Sequence, residues 1–130
     1  SGTKIGYTAL EDLVRQNVYI AKIAYYSSKA STTWEDSYKI IVVGLTSIAN
    51  QTPNTPSNAC DVLITMLDKT KSWESGTKAG YAAIELIAQT DNAEVKNFLA
   101  TVYNSAKAAT TWEDGYKTIM NGLRNLKSFF

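Results

Sequence analysis

A repeated tryptophan sets the strongest constraint on how this chain folds. Thr32-Thr33-Trp34-Glu35-Asp36 returns as Thr110-Thr111-Trp112-Glu113-Asp114, and a degenerate copy, Lys71-Ser72-Trp73-Glu74-Ser75, lies between them. Successive tryptophans are 39 residues apart. Superposing them aligns further columns: a Ser or Thr before each Trp (Thr33, Ser72, Thr111), a Glu after it (Glu35, Glu74, Glu113), a lysine (Lys39, Lys78, Lys117) and a small residue (Gly44, Ala83, Gly122). Self-similarity at such a period marks stacked supersecondary units. Ser1-Gly2-Thr3-Lys4-Ile5-Gly6-Tyr7 reappears as Ser75-Gly76-Thr77-Lys78-Ala79-Gly80-Tyr81, which adds Lys4 to the lysine column and marks a fourth, shortened copy beginning about one turn into the repeat. The first and third copies share Ser-Gly-Thr-Lys, and the second and fourth share Glu-Asp followed by Tyr38 or Tyr116. The larger duplicated unit therefore spans two short repeats, with halves at 1–50 and 75–128 bridged by a helix at 58–71.

Length and composition place this repeat in one domain, 1–130. A chain with 45% apolar and 19% charged residues supports a hydrophobic core. A net charge of +1 supplies no broad field for nucleic acid or an anionic membrane. The longest apolar run, Ile40 to Val43 with Leu45 beyond Gly44, is too short to span a bilayer. One cysteine excludes an internal disulfide and a Cys-based zinc site.

Helical periodicity runs through the chain. Residues 3–16 carry the stripe Ile5, Leu10, Leu13, Val14, and 18–30 carry Ile20, Ala21, Ala24, Tyr25. Only Gln16-Asn17 divides them, so one helix from 4 to 30 is the alternative. Thr33 caps a helix reaching Asn50, with Glu35 and Asp36 placed to suit the helix dipole and Trp34 folded back on the preceding helix. Its wide apolar face (Ile40, Ile41, Val43, Gly44, Leu45, Ile48) predicts a central position. Pro53 and Pro56 mark a loop at 50–58. Asn58 opens a helix to Lys71 that buries Cys60, Leu63, Ile64 and Leu67. Ser72 caps the next, to Gln89. Asp91 and Glu94 form a capping box for 93–108, which buries Phe98, Leu99, Val102 and Tyr103. Thr111 caps the last, to Lys127, with Ile119, Met120, Leu123 and Leu126 inward. Phe129 and Phe130 either dock or lie exposed.

No segment alternates as a strand does. The expected fold is all-α: a bundle of six to seven short helices built from 39-residue helix pairs, its two halves related by a pseudo-two-fold axis. A short α-solenoid is the alternative. The bundle is preferred because so short a solenoid leaves raw apolar ends and the last copies show no polar cap. The residue patterns of tetratricopeptide, ankyrin and HEAT repeats are not present.

The chain contains no histidine, which removes the commonest general base, the usual metal ligand and every Ser-His or Cys-His pair. The adjacent acids Glu35/Asp36 and Glu113/Asp114 are explained by helix first turns, and neighbours on a helix point about 100° apart, which is poor for a catalytic dyad. Ser75-Gly76-Thr77-Lys78 lacks the strand and the longer glycine-rich turn of a phosphate loop. The sequence thus predicts no enzyme, no cofactor and no metal. The lysine column, Lys4, Lys39, Lys78 and Lys117, has two readings: ion pairs with the acid four residues earlier, or cationic heads meeting an acidic ligand. Among eight tyrosines, Tyr19 and Tyr26 have no aromatic counterpart in the later half. They are the first candidates for a partner site. Cys60 reads as a small core residue.

The expected function is that of a non-enzymatic interaction or structural module, binding a protein partner or itself, as part of a longer repeat array. The second expectation is a carrier holding a small apolar ligand between the halves. Lysine outnumbers arginine and Ser, Thr, Asn and Tyr are abundant, which points to an extracellular or cell-surface setting.

Overall fold

The structure, a computed structural model, describes residues 2–130. Ser1, the first residue of the repeated Ser-Gly-Thr-Lys, lies outside it. Seven α-helices follow one another: α1 (Gly2–Arg15), α2 (Tyr19–Ala30), α3 (Trp34–Ala49), α4 (Pro56–Asp68), α5 (Trp73–Ile87), α6 (Ala93–Ala108) and α7 (Trp112–Leu126). A 3-10 turn at Lys127–Phe129 closes the chain, and no strand occurs among the described residues. The all-α helical bundle is as expected.

The repeated Ser/Thr-Trp starts are helix caps. The hydroxyls of Thr33, Ser72 and Thr111 accept the backbone N–H groups of Asp36, Ser75 and Asp114, satisfying a donor that has no partner inside the helix. Two other starts differ from expectation. The fourth helix begins at Pro56, not Asn58, with Thr55 accepting from Asn58 N–H. Proline suits a first helical position because its missing N–H would be unpaired there. At α6 the cap is Asn92, which accepts from Val95 N–H, rather than Asp91.

The stretch 4–30 is two helices. Asn17 adopts φ 62°, Val18 N–H bonds back to Leu13 O, and Asn17 N–H to Val14 O. This pairing with a left-handed residue is a Schellman stop, and asparagine tolerates it better than most residues. Gln51 ends α3 in the same way, with φ 62° and with Thr52 N–H bonded to Ser47 O.

Packing places α2, not α3, at the centre. It touches α1, α3, α4 and α5, whereas α3 packs on α1, α2 and α4. Ile20, Ala21, Ile23 and Ala24 are fully buried on α2. α4 lies across both halves, against α2, α3, α5 and α7, and buries Ala59, Cys60, Leu63, Met66 and Leu67. The halves α1–α3 and α5–α7 meet through α2 and α5, while the reciprocal pair, α6 and α1, is not among the packed pairs. Their relation is head to tail rather than two-fold.

Glycines set the helix spacing. A Cβ on Gly44 would lie 2.6 Å from the Ala24 Cβ, and one on Gly122 2.6 Å from Val102 Cγ1. Gly6 and Gly80 are likewise closed off by Ile41 and Ile119. Each pair occupies aligned positions in the two halves, so α1–α3, α5–α7, α2–α3 and α6–α7 all cross at a glycine.

One buried acid ties the halves. Asp36, 1% exposed, accepts Lys71 N–H at 2.9 Å and Ser72 N–H at 3.2 Å. Thr32 N–H donates to Ser75 Oγ at 3.1 Å beside it. Asp36 is thus more than a partner for the helix dipole. Asp114, aligned with it, is exposed.

Two outcomes follow in denaturant melts. Asp36→Ala costs about 2–4 kcal/mol, since two N–H groups lose a charged acceptor, whereas Asp114→Ala costs about 0.3–1 kcal/mol; equal losses would remove the tie. Gly44→Ala lowers stability by about 1–3 kcal/mol despite alanine's better helix propensity, and a gain in stability would mean that the crossing is not close.

Candidate functional site

The end of the bundle formed by α1 and α3 carries half of the exposed large apolar side chains among the described residues. On α3, Trp34, Tyr38 and Val42 follow at intervals of four, so they share one face. They are 71%, 43% and 41% exposed, and Ile5 on α1 is 72% exposed. The sequence stripe placed Ile5 inward and folded Trp34 onto the preceding helix. Instead Gly6 and Leu10 are the buried positions of α1. Gly6 brings α1 against Ile41, which leaves Ile5 on the outside.

Between these helices runs an open groove of about 710 Å³ lined by Gly2, Thr3, Lys4, Tyr7, Trp34 and Tyr38. Its floor is ordered by aromatic contacts. Tyr7 and Tyr25 meet edge to face at 6.2 Å, and Lys29 Nζ lies 5.0 Å from the Tyr7 ring centre and 5.2 Å from that of Tyr25. A cation over a ring face gains from the ring quadrupole.

The same trio recurs in the second half. Tyr81 and Tyr103 are 5.0 Å apart, and Lys107 Nζ stands 4.4 Å and 5.3 Å from them. Here the groove is smaller, about 330 Å³. Lys78 Nζ lies 5.4 Å from the Trp112 ring centre while paired with Glu74 at 2.8 Å. The Thr77 hydroxyl sits 3.1 Å from the Trp112 carbonyl. Lys29 and Lys107 were missed at the sequence level, although both stand five residues before a repeated tryptophan. That register was the available signal.

The expected site residues fall into two groups. Tyr19 and Tyr26 lie along the seam between α2 and α5. Tyr26 borders a cleft of about 390 Å³ and Tyr19 one of about 410 Å³, and Lys22, Leu86 and Gln89 line both. Burial, then the nearby Cys60, pushes the Tyr19 phenol above its ordinary value. The lysine column is dispersed. Lys4 lines the α1–α3 groove, and Lys39 is half-buried on α3. Lys78 and Lys117 are held by Glu74 and Glu113, at 2.8 and 2.7 Å. Lys117 also borders a hollow with Trp73 and Tyr116.

Cys60 is buried, and its thiol is 3.2 Å from Leu123 O. Burial, then Asp61, pushes it up to about 11, so it stays protonated near neutrality. Among the described residues no group of three or more His, Cys, Asp or Glu gathers to hold a metal, and no helix is long and apolar enough to cross a membrane.

At the α5–α7 crossing, Trp73 packs on Tyr116 with ring centres 5.2 Å apart, and the Tyr116 hydroxyl donates to Leu67 O at 2.6 Å. Comparison with protein-family models, curated proteins and solved structures finds no match to this chain.

Burial raises the Tyr116 phenol above its ordinary value of 10.0. The folded state favours the neutral, donating form. Its contribution is therefore complete below pH 10 and is lost as the pH rises through the higher folded value. Tyr116→Phe costs about 1 kcal/mol at pH 7. That difference shrinks above about pH 10, and a gap independent of pH would contradict the assignment.

Proposed function

We propose that this protein is a non-enzymatic interaction module that binds a protein partner through the α1–α3 end and works within a longer array of such units. The observation that carries this reading is the exposure of Ile5, Trp34, Tyr38 and Val42 on the two helices that form that end. Clustered exposed apolar groups mark interaction surfaces. Trp and Tyr are the side chains that dominate binding energy at such surfaces, since they bury large area and lose little entropy. Lys4 and Thr3 at the groove's edge supply the polar rim that interfaces carry. The composition argued above favours an extracellular or cell-surface setting.

One observation favours a second reading, a carrier of a small apolar ligand. The groove of about 710 Å³ with three aromatic rings has the size and lining of a small-molecule site. Its place is within the first half rather than between the halves.

Hydroxyl-radical footprinting in the natural source, compared with the isolated chain, separates these outcomes. Under the interaction reading Ile5, Trp34 and Tyr38 are shielded in the source, and native mass spectrometry finds the chain in a larger assembly. A monomer with a passenger of small-molecule mass selects the carrier, and full oxidation at all three sites in both settings defeats the interaction reading.

A further inference from the structure

The second half of the molecule shows what covers surfaces that the first half leaves open. Aligned by the repeat, Ile5 of α1 corresponds to Ala79 of α5. Ile5 is 72% exposed, and Ala79 is fully buried on a helix that packs on α2 and α4 as well as α7. Val42 corresponds to Met120. Val42 is 41% exposed and Met120 is 3% exposed, in a hollow bordered by Trp73 and Asp68. Tyr38 corresponds to Tyr116, which carries the Trp73 indole and donates to the carbonyl of Leu67 near the end of α4. All three differences have one origin: α5 is covered by α2 and α4, α7 by α4, and Tyr116 by Trp73 at the start of α5, and among the described residues α1 and α3 have no counterparts of these.

The opposite end is different. α6 corresponds to α2, and its positions equivalent to the buried Ile23 and Ser27 are Thr101 and Ser105, both exposed. Asn97 and Asn104 lie exposed on the same helix. The polar terminal face that the sequence reading did not find is therefore on α6, and polar outer faces are how repeat stacks end. Head-to-tail contacts continue until such a face stops them. A second identical copy is a poor occupant for the α1–α3 end, because its α6 is polar and its α2 is already covered by α5.

We propose that the α1–α3 end docks a further repeat unit of this type through that unit's counterparts of α2, α4 and Trp73. The tryptophan stacks on Tyr38, and the carbonyl at the Leu67 position accepts from the Tyr38 hydroxyl. Ile5 is larger than Ala79, so the covering helix stands farther off than α2 does from α5. The inference rests on the interaction reading above and names the partner.

The test is a tandem chain in which a copy of residues 2–74 immediately precedes Ser1 of the full chain. The junction then reads Trp-Glu-Ser-Gly-Thr-Lys, as at 73–78. Docking is expected to slow the oxidation of Ile5 and Tyr38 in the full-length part about tenfold relative to the single chain, as for a contact populated in nine molecules of ten. The two parts are then expected to unfold in one transition. Ile5→Asp in the full-length part removes the protection without altering the fold of the single chain, since Ile5 is exposed there, and Trp→Ala in the added copy's counterpart of Trp73 weakens it. Unchanged oxidation with two independent transitions overturns the proposal. If footprinting in the source still shows the end shielded, the interaction reading survives and the partner is of another kind.

Discussion

Close approach of helices at glycine is the constraint on which the rest of this fold depends. At Gly6, Gly44, Gly80 and Gly122 the space that a Cβ would take is filled by Ile41, Ala24, Ile119 and Val102. These contacts fix α1 and α2 against α3, and α5 and α6 against α7, within each half. With the spacing fixed, the helix starts fall together at one end, where Thr32 meets Ser75 and Asp36 meets the backbone of Lys71 and Ser72. A buried carboxylate is costly without such donors. Here the polar backbone of the α4–α5 join and the acid of α3 satisfy each other, which turns a loop into a connector between halves.

The helices themselves were legible from the sequence because their signals are local. A hydroxyl before tryptophan and an acid after it define a first turn whatever lies beyond, and the apolar period of α7 names its buried Ile119, Met120, Leu123 and Leu126, while that of α4 names Cys60, Leu63 and Leu67 but also Ile64, which is only partly buried. The errors arose where a local signal has two uses. Pro56 marks a loop or a first helical position, and only the hydroxyl of Thr55 before it decides. Ile5 belongs to an apolar stripe, but the neighbouring Gly6 takes the contact position because it lets α1 come closer.

The candidate site was less legible, since it is made of differences between aligned residues. Repetition showed that Trp34 and Trp112 are equivalent, but their surroundings are not. Lys78 lies over Trp112 and holds Glu74, whereas Trp34 is 71% exposed. Tyr19 and Tyr26 stood out by lacking counterparts, and the structure puts both on the α2–α5 seam. Their lack of counterparts has a physical reason: α2 is the helix that meets the other half, while α6, its equivalent, faces outward and needs no such residues.

That asymmetry bears directly on function. In a two-fold assembly the same patch serves both partners, and the contact closes on itself. In this chain α2 of one half receives α5 of the other, so each unit has a giving face and a receiving face. The receiving face at the α6 end is polar. The giving face at the α1 end retains Ile5, Tyr38 and Val42 in the open. Exposed apolar surface of this kind is an aggregation liability unless something covers it, and a wholly apolar pair of ends would make the chain insoluble at both. Under the docking proposed above, the apolar α1–α3 end is the one that joins a further unit and the polar α6 face is not. The repeated tryptophan is the first residue of a capped helix each time it occurs, and Trp73 also packs on Tyr116 across the α5–α7 crossing.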